Sequence, residues 1–410
     1  MNKLFSIFIV ISVSIFCSCG NDDHDIALDN KDNPRISMCL TPTEQVISNA
    51  YSEFAFKLSK AINESSNYGD SFVFSPLCTS FSLTMLANGT SNETLKNSMK
   101  EMGLPDISIE ELNKMNMKLS DSLNILDKRC VVEFANSVWV SSVLSPADSY
   151  VNCIEEFYKG ELYKKDFSSN GIVNDVNNWC SKATKGKIKN LLSGIPANTT
   201  LLLANAVYFK APWQKPFKKA EDGIFTSSNG DEQRVKYMTS SLNTACYDNG
   251  KCVVASLPYG NRAFSFRILL PNKGVSIDEC IEDLANDYWI DNEDFLRFAD
   301  LSIKMPKFNI ESKSSLLSSI KEAGVNACFA PGADYTNLFA DTPFSVAEFL
   351  QATTFTVDEE GTEAAASIVN TGFTSPGYES MDLVVDRPFL FFVQEQSTGA
   401  ILFIGKVGKI

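Results

Sequence analysis

An α+β fold with mixed sheets is what the sequence predicts, on three observations. Helical periodicity dominates the early part of the chain, and runs of β-branched and apolar residues dominate the later part. One of those runs, Thr199 to Phe209, is so continuously apolar that both of its faces must be covered, which places it centrally in a sheet. No Ser/Gly/Pro-rich or charge-biased break follows Pro42 and no repeat occurs at a solenoid period, so residues 43–410 are expected to form one large folded unit.

Thr43 and Glu44 open a pattern with Val46, Ala50, Phe54, Leu58 and Ile62, spaced by four and started by a hydroxyl cap, which predicts the first helix. Ser75-Pro76 leads into Phe81, Leu83, Met85 and Leu86, a buried helix ended by Asn88-Gly89-Thr90. Arg129 to Ser141, with Val131-Val132 and Val138-Trp139-Val140, reads as a strand. Val253 to Leu257 and Phe264 to Leu270 read as further strands, stopped by Pro258 and Pro271. Leu301 to Lys304 and Met381 to Val385 follow, and Phe389 to Val393 and Ala400 to Gly405 flank the turn Gln396-Ser397-Thr398-Gly399.

Composition excludes several function classes. The formal charge of −14 disfavours nucleic acid and other polyanions, and the basic run Lys182, Lys185, Lys187 and Lys189 reads as a solvated helix end. The single histidine, His24, lies near the N-terminus, so the folded part can build neither a Ser-His-Asp or Cys-His pair nor a histidine-bearing zinc site. Nucleophile-elbow, phosphate-loop and dinucleotide glycine patterns are missing as well, and no cofactor or metal is expected.

Lys3 precedes an apolar run, Leu4 to Phe16, which at about 1.5 Å per residue is too short to cross a hydrocarbon core of about 30 Å. Residues 1–18 therefore read as a signal peptide. Phe16-Cys17-Ser18-Cys19 resembles a degenerate bacterial lipobox in which Cys19 takes the lipid and Cys17 leaves with the signal. The acidic stretch Gly20-Asn21-Asp22-Asp23 resembles surface-export signals of bacterial lipoproteins. Residues 19–42 are polar and suit a flexible tether, giving a protein held at the outer membrane and cell surface by lipid alone, or else secreted without lipid. Nine cysteines remain after Cys17 and Cys19. They read as small buried hydrophobes, with a Cys246–Cys252 pairing left open.

The segment from Asp358 to Asn370 decides the functional reading. Ala364, Ala365 and Ala366 offer little area to bury, so the segment has little reason to pack where it stands. Written as a strand, it puts Thr362, Ala364, Ala366 and Ile368 on one face and Glu363, Ala365 and Ser367 on the other. It can be an exposed loop and can also become a sheet strand.

In that respect it resembles the reactive-loop hinge of the serpin family, and other motifs follow in the family's order. They are Ser71-Phe72-Val73-Phe74-Ser75-Pro76, Ala135-Asn136-Ser137-Val138-Trp139, and Asn178-Trp179 with Thr184-Lys185-Gly186-Lys187-Ile188. Asn205-Ala206-Val207-Tyr208-Phe209-Lys210 with Trp213, Leu257-Pro258-Tyr259, Pro306-Lys307-Phe308 and Asp386-Arg387-Pro388-Phe389-Leu390-Phe391 complete the series. The resemblance spans nearly the whole chain after the tether. It implies about nine helices around three mixed or antiparallel sheets, with an exposed reactive-centre loop.

It also implies a protease inhibitor acting as a suicide substrate on a serine, or also a cysteine, endopeptidase, and not an enzyme. The protease cuts the loop and forms its acyl-enzyme. The hinge, Glu359, Glu360, Gly361, Thr362, Glu363, Ala364, Ala365, Ala366 and Ser367, then threads into the central sheet and carries the protease with it. A whole added strand of hydrogen bonds at ~0.5 to 1.5 kcal/mol each releases on the order of 10 kcal/mol. By the family's pattern Ser75, Asn205, Lys210, Trp213, Lys307 and Gln351 belong to the region where the sheet opens, and Glu359 pairs with Lys307. Two positions depart from that pattern: Cys78 stands where serine is common and Gln351 where histidine is common.

Counting forward from the hinge reaches Ser375-Pro376, a poor substrate because proline lacks a donor and has fixed φ. Thr374-Ser375 would suit an elastase-like or subtilisin-like protease and Phe373-Thr374 a chymotrypsin-like one, while Gly377-Tyr378 and Tyr378-Glu379 stay open. A monomer is expected. Two alternatives stand beside the inhibitor: a non-inhibitory serpin used for binding or as a chaperone-like surface protein, and a surface enzyme acting on glycans through paired carboxylates.

Overall fold

The computed structural model describes residues 32–169, 171–195, 199–286, 297–339, 346–362 and 379–410. Cys19, the hinge residues Glu363 to Ser367 and the bait residues Phe373, Thr374 and Ser375 lie outside them. In chain order the elements are α1 (Pro42–Glu64), β1 (Phe72–Phe74), α2 (Pro76–Asn88), α3 (Asn92–Glu101), α4 (Ile109–Ser122), β2 (Val131–Ser141), α5 (Asp148–Tyr158), β3 (Glu161–Lys165), α6 (Gly171–Ala183) and β4 (Leu201–Pro212). Then come β5 (Lys218–Lys219), β6 (Gly223–Thr226), β7 (Glu232–Val235), β8 (Tyr237–Asp248), β9 (Cys252–Pro258), β10 (Phe264–Pro271), α7 (Ile277–Asn286), β11 (Arg297–Pro306), β12 (Phe308–Ser315) and α8 (Leu317–Glu322). The chain closes with β13 (Val346–Val357), β14 (Gly361–Thr362), β15 (Glu379–Val384), β16 (Phe389–Glu395) and β17 (Ile401–Val407). Among the described residues there are eight α-helices, one fewer than the nine expected, and a 3-10 turn at Ala327–Phe329.

Three sheets form. One has nine strands, in the order β1-β17-β16-β10-β9-β8-β11-β15 with β5 beside β8, and β6 and β7 make a separate pair. The six-stranded sheet, β12-β13-β14-β4-β2-β3, holds the feature that matters here. Its two central strands, β13 and β4, run parallel and pair directly from Val346 to Thr353 against Leu201 to Val207. Beyond that stretch they part, and β14 sits between them, antiparallel to both.

The apolar run of β4 is covered on both faces. Leu201, Leu203, Val207 and Phe209 face the main core, where Phe209 meets Phe403 at 5.8 Å between ring centroids and Phe355 meets Phe391 at 4.8 Å, joining the two large sheets. Leu202, Ala204 and Ala206 face a second cluster that includes Trp139 and the α6 residues Ile172, Val176 and Trp179.

Helix α1 starts at Pro42, with Thr41 as its cap. Its hydroxyl accepts from the Glu44 N–H at 3.3 Å while Glu44 accepts from the Thr41 N–H at 2.8 Å. Of the five apolar positions expected on its inner face, Ala50, Phe54, Leu58 and Ile62 are buried, while Val46 is exposed and its neighbour Ile47 is buried. Residues 32–41, which the sequence assigns to the tether, lie against the body: Asn33 and Met38 are buried, and the Met38 N–H donates to Ser397 Oγ at 2.9 Å.

Seven of the nine remaining cysteines are buried, and burial pushes the Cys78 thiol up to about 12. Cys246 lies across from Ala255, and Cys252 hydrogen-bonds Cys280, so the pairing left open between Cys246 and Cys252 is not formed. Lys182, Lys185, Lys187 and Lys189 are exposed, as the solvated reading expects, and Lys185 makes an exposed pair with Glu133 at 3.0 Å and lies 4.1 Å above the Tyr208 ring.

Candidate functional site

Strand β13 ends in a tight reversal that carries the chain into β14. Asp358 Oδ1 accepts from the N–H groups of Glu360 at 2.8 Å and Gly361 at 3.2 Å, and the Asp358 N–H donates to Gly361 O at 3.0 Å. The segment that follows β4 grips this reversal through backbone atoms. The Trp213 N–H donates to Glu360 O at 2.9 Å, the Phe217 N–H to Glu359 O at 2.7 Å, and Trp213 Nε1 to Asp358 O at 2.8 Å.

Only glycine fits at the next position. Its φ is +153°, and a Cβ there would lie 2.1 Å from Ala211 O and 2.7 Å from Pro212 Cα. Thr362 then turns inward and is buried, pairing with Ala211 on one side and Val357 on the other. Its hydroxyl shares a 2.6 Å hydrogen bond with the Tyr259 hydroxyl. The Tyr259 ring stacks on Trp213, 4.5 Å between centroids and 8° between planes, and burial holds its hydroxyl well above the ordinary tyrosine range.

On the rim, Lys307 Nζ lies 3.0 Å from Glu359 Oε2. Burial alone would raise the Glu359 carboxyl, but its backbone hydrogen bond and the Lys307 ammonium outweigh that and hold it below the usual range.

A second polar cluster sits lower on the same two strands. Gln351 of β13 faces Asn205 of β4 in register, and both side chains are buried. Gln351 Oε1 accepts from the Ser75 N–H at 2.7 Å. Its Nε2 donates to Ser75 O at 3.0 Å, to Asn205 Oδ1 at 2.8 Å and to Thr79 Oγ1 at 3.2 Å. Asn205 Nδ2 in turn donates to Ser82 Oγ at 3.0 Å. Ser75 is the cap of α2, so a single side chain ties the parallel strands to the start of the helix beneath them. An amide both donates and accepts, which is how glutamine fills this place without a charge.

The six residues assigned to sheet opening therefore divide. Trp213 and Lys307 surround the hinge, while Ser75, Asn205 and Gln351 form the lower cluster. Lys210 lies at the upper end of β4 across from Val131. Asn205 and Ala211 are six residue steps apart along β4, about 20 Å at strand rise. Tyr259, Asp358, Thr79 and Ser82 were not expected as site residues. Tyr259 belongs to a motif quoted above, but only the folded chain puts its hydroxyl on the hinge.

Comparison with known proteins agrees with this architecture. The family model described as Serpin (serine protease inhibitor) matches residues 49–410. Iripin-3 of Ixodes ricinus is 30% identical over 360 residues, covering 84% of this chain and 90% of the relative. Leukocyte elastase inhibitor A of Mus musculus is 28% identical over 383 residues, covering 88% and 98%. The crystal structure of the thermophilic serpin Tengpin in its native state superposes with a TM-score of 0.80 at 29% identity, covering 92% of this chain and 97% of that one. With the parallel central strands and the glycine-led hinge between them, these matches establish that the chain belongs to the serpin family.

Proposed function

We propose that the chain is an inhibitory serpin, a suicide substrate that traps a serine endopeptidase by loop cleavage and strand insertion. The observation that carries this reading is the placement of Gly361 and Thr362 between β13 and β4, at the point where those strands part. Continuing β14 in its own register would bring Ala364 beside Phe209 and Ala366 beside Val207, where direct pairing of β4 with β13 begins. Small side chains on that inward face let the strand enter a packed core without overfilling it. The protease supplies the nucleophile and the acyl bond, and this chain contributes free energy, not a catalytic group. Relatives that are inhibitors by name, among them the leukocyte elastase inhibitor above, favour the same reading.

The bait is proposed at Thr374-Ser375 or Phe373-Thr374, directed at elastase-like, subtilisin-like or chymotrypsin-like enzymes. The decisive experiment mixes the full chain with each class and looks for a complex that survives denaturant, then sequences the released C-terminal peptide. Complex formation is expected with at least one class. Clean cleavage with no complex in any of them would favour a binding-only serpin instead.

We further propose that Cys19 carries a lipid that holds a monomer at the cell surface. Cys19→Ser should move the protein from the membrane fraction to the soluble one, and retention in the membrane would refute the anchor.

A further inference from the structure

One buried carboxylate lies behind the hinge and takes no part in the hydrogen bonds described so far. Asp127, between α4 and β2, is 1% exposed. Its Oδ1 accepts from the Arg129 N–H at 2.8 Å and from Asn33 Nδ2 at 2.7 Å, and its Oδ2 accepts from the Asn261 N–H at 2.7 Å. Asn261 is held on its other atoms too: Nδ2 donates to Leu126 O at 2.7 Å and to Pro34 O at 3.1 Å, and Oδ1 accepts from the Ala263 N–H at 3.0 Å.

These contacts shape the turn that begins at Tyr259. The Arg262 N–H closes it on Tyr259 O at 2.7 Å, and Gly260 (φ +42°) and Arg262 (φ +75°) both lie in left-handed backbone. The approach is so close that a Cβ on Gly260 would fall 1.7 Å from Asp127 Oδ2. Left-handed backbone disfavours arginine, so this turn needs fastening from outside. A carboxylate accepting three hydrogen bonds in a dry site supplies strong fastening. The residue thus fixed is the one whose hydroxyl meets Thr362.

We propose that Asp127 is a positioning residue for the hinge. By holding the Asn261 N–H it sets the Tyr259 hydroxyl against Thr362, and Asn33 completes its set of donors. Residues 32–41 and the hinge are coupled through that one carboxylate. This rests on the loop-insertion reading, in which Thr362 is the first residue of the added strand. With Thr362 already seated, insertion extends an existing strand and need not start one. With Thr362 loose, the acyl-enzyme has more time to hydrolyse.

The test is amide hydrogen exchange on the full chain, comparing residues 358–362 with 401–407 in β17. Asp127→Asn should speed exchange at 358–362 at least tenfold and leave 401–407 unchanged, because an amide cannot accept from both sides at once. Unchanged exchange at 358–362 or equal acceleration at 401–407 overturns the proposal. If Asp127→Asn does not fold, Asn33→Ala decides: 358–362 should speed severalfold, and no acceleration there overturns the coupling. Against a trapped protease, Asp127→Asn should raise several-fold the number of inhibitor molecules consumed per protease, with association within twofold of the parent. Absence of any trapping would refute the insertion reading and leave the exchange result to judge Asp127.

Discussion

At the hinge, the small contribution of an ion pair at the rim can still be read through its titration. Glu359 and Lys307 are 16% and 30% exposed, so their pair contributes about 0 to 1 kcal/mol. Because the folded carboxyl is lowered from its ordinary 4.5, that stability is fully present above the ordinary value and is lost as pH falls through the lower, folded one. Thermal midpoints of the parent and Lys307→Met should therefore differ by a constant small amount above about pH 5 and converge in more acid solution. A difference that persists in acid would place the effect in lost packing of the lysine stem. The glycine that starts β14 was legible in the sequence because it is conspicuous locally. Tyr259 was not, since its role depends on a hydroxyl meeting a threonine 103 positions away.

Among the elements, β4 announced itself, and β13 did not. Both are central in the same sheet, but from Leu201 to Phe209 β4 is apolar save for Asn205, whereas β13 carries both Gln351 and Thr353 on its buried face and so breaks the pattern that marks a strand. The polar residues that hid β13 are the ones that join it to α2. Gln351→Ala should cost roughly 2 to 4 kcal/mol, since it leaves the Ser75 N–H and Asn205 Oδ1 buried without their partner, and denaturant unfolding would measure it. An amide does not titrate, so spontaneous sheet opening should keep one rate from pH 5.5 to 8. Gln351→His should introduce a pH dependence centred near 6.5. A parent rate that itself changes across this range would assign the opening step to another group. Helix α1 was plainer: Ala50, Phe54, Leu58 and Ile62 are buried as its apolar spacing predicts, and only Val46 of that series is exposed.

The fold class and the family were legible because many weak motifs stand in one order over the whole chain. The layout of the sheets was not, because it depends on which strands part and which stay paired. Cutting the loop between residues 363 and 378 should raise the melting temperature by roughly 10 °C or more, taking on the order of 10 kcal/mol for the added strand against about 2.1 cal/mol/K per residue of unfolding entropy. Calorimetry before and after limited proteolysis measures this, and an unchanged transition would count against insertion. The parting of β13 from β4 around β14 has a consequence for variation at these positions. Along 201–207 and 346–353 each side chain must suit the neighbour it has now and also a newcomer strand that would separate the two. A substitution neutral in the uncut protein can still be harmful once the loop enters. Tolerance there should be narrower than burial alone suggests, and a screen for expression would miss part of what a screen for trapping rejects.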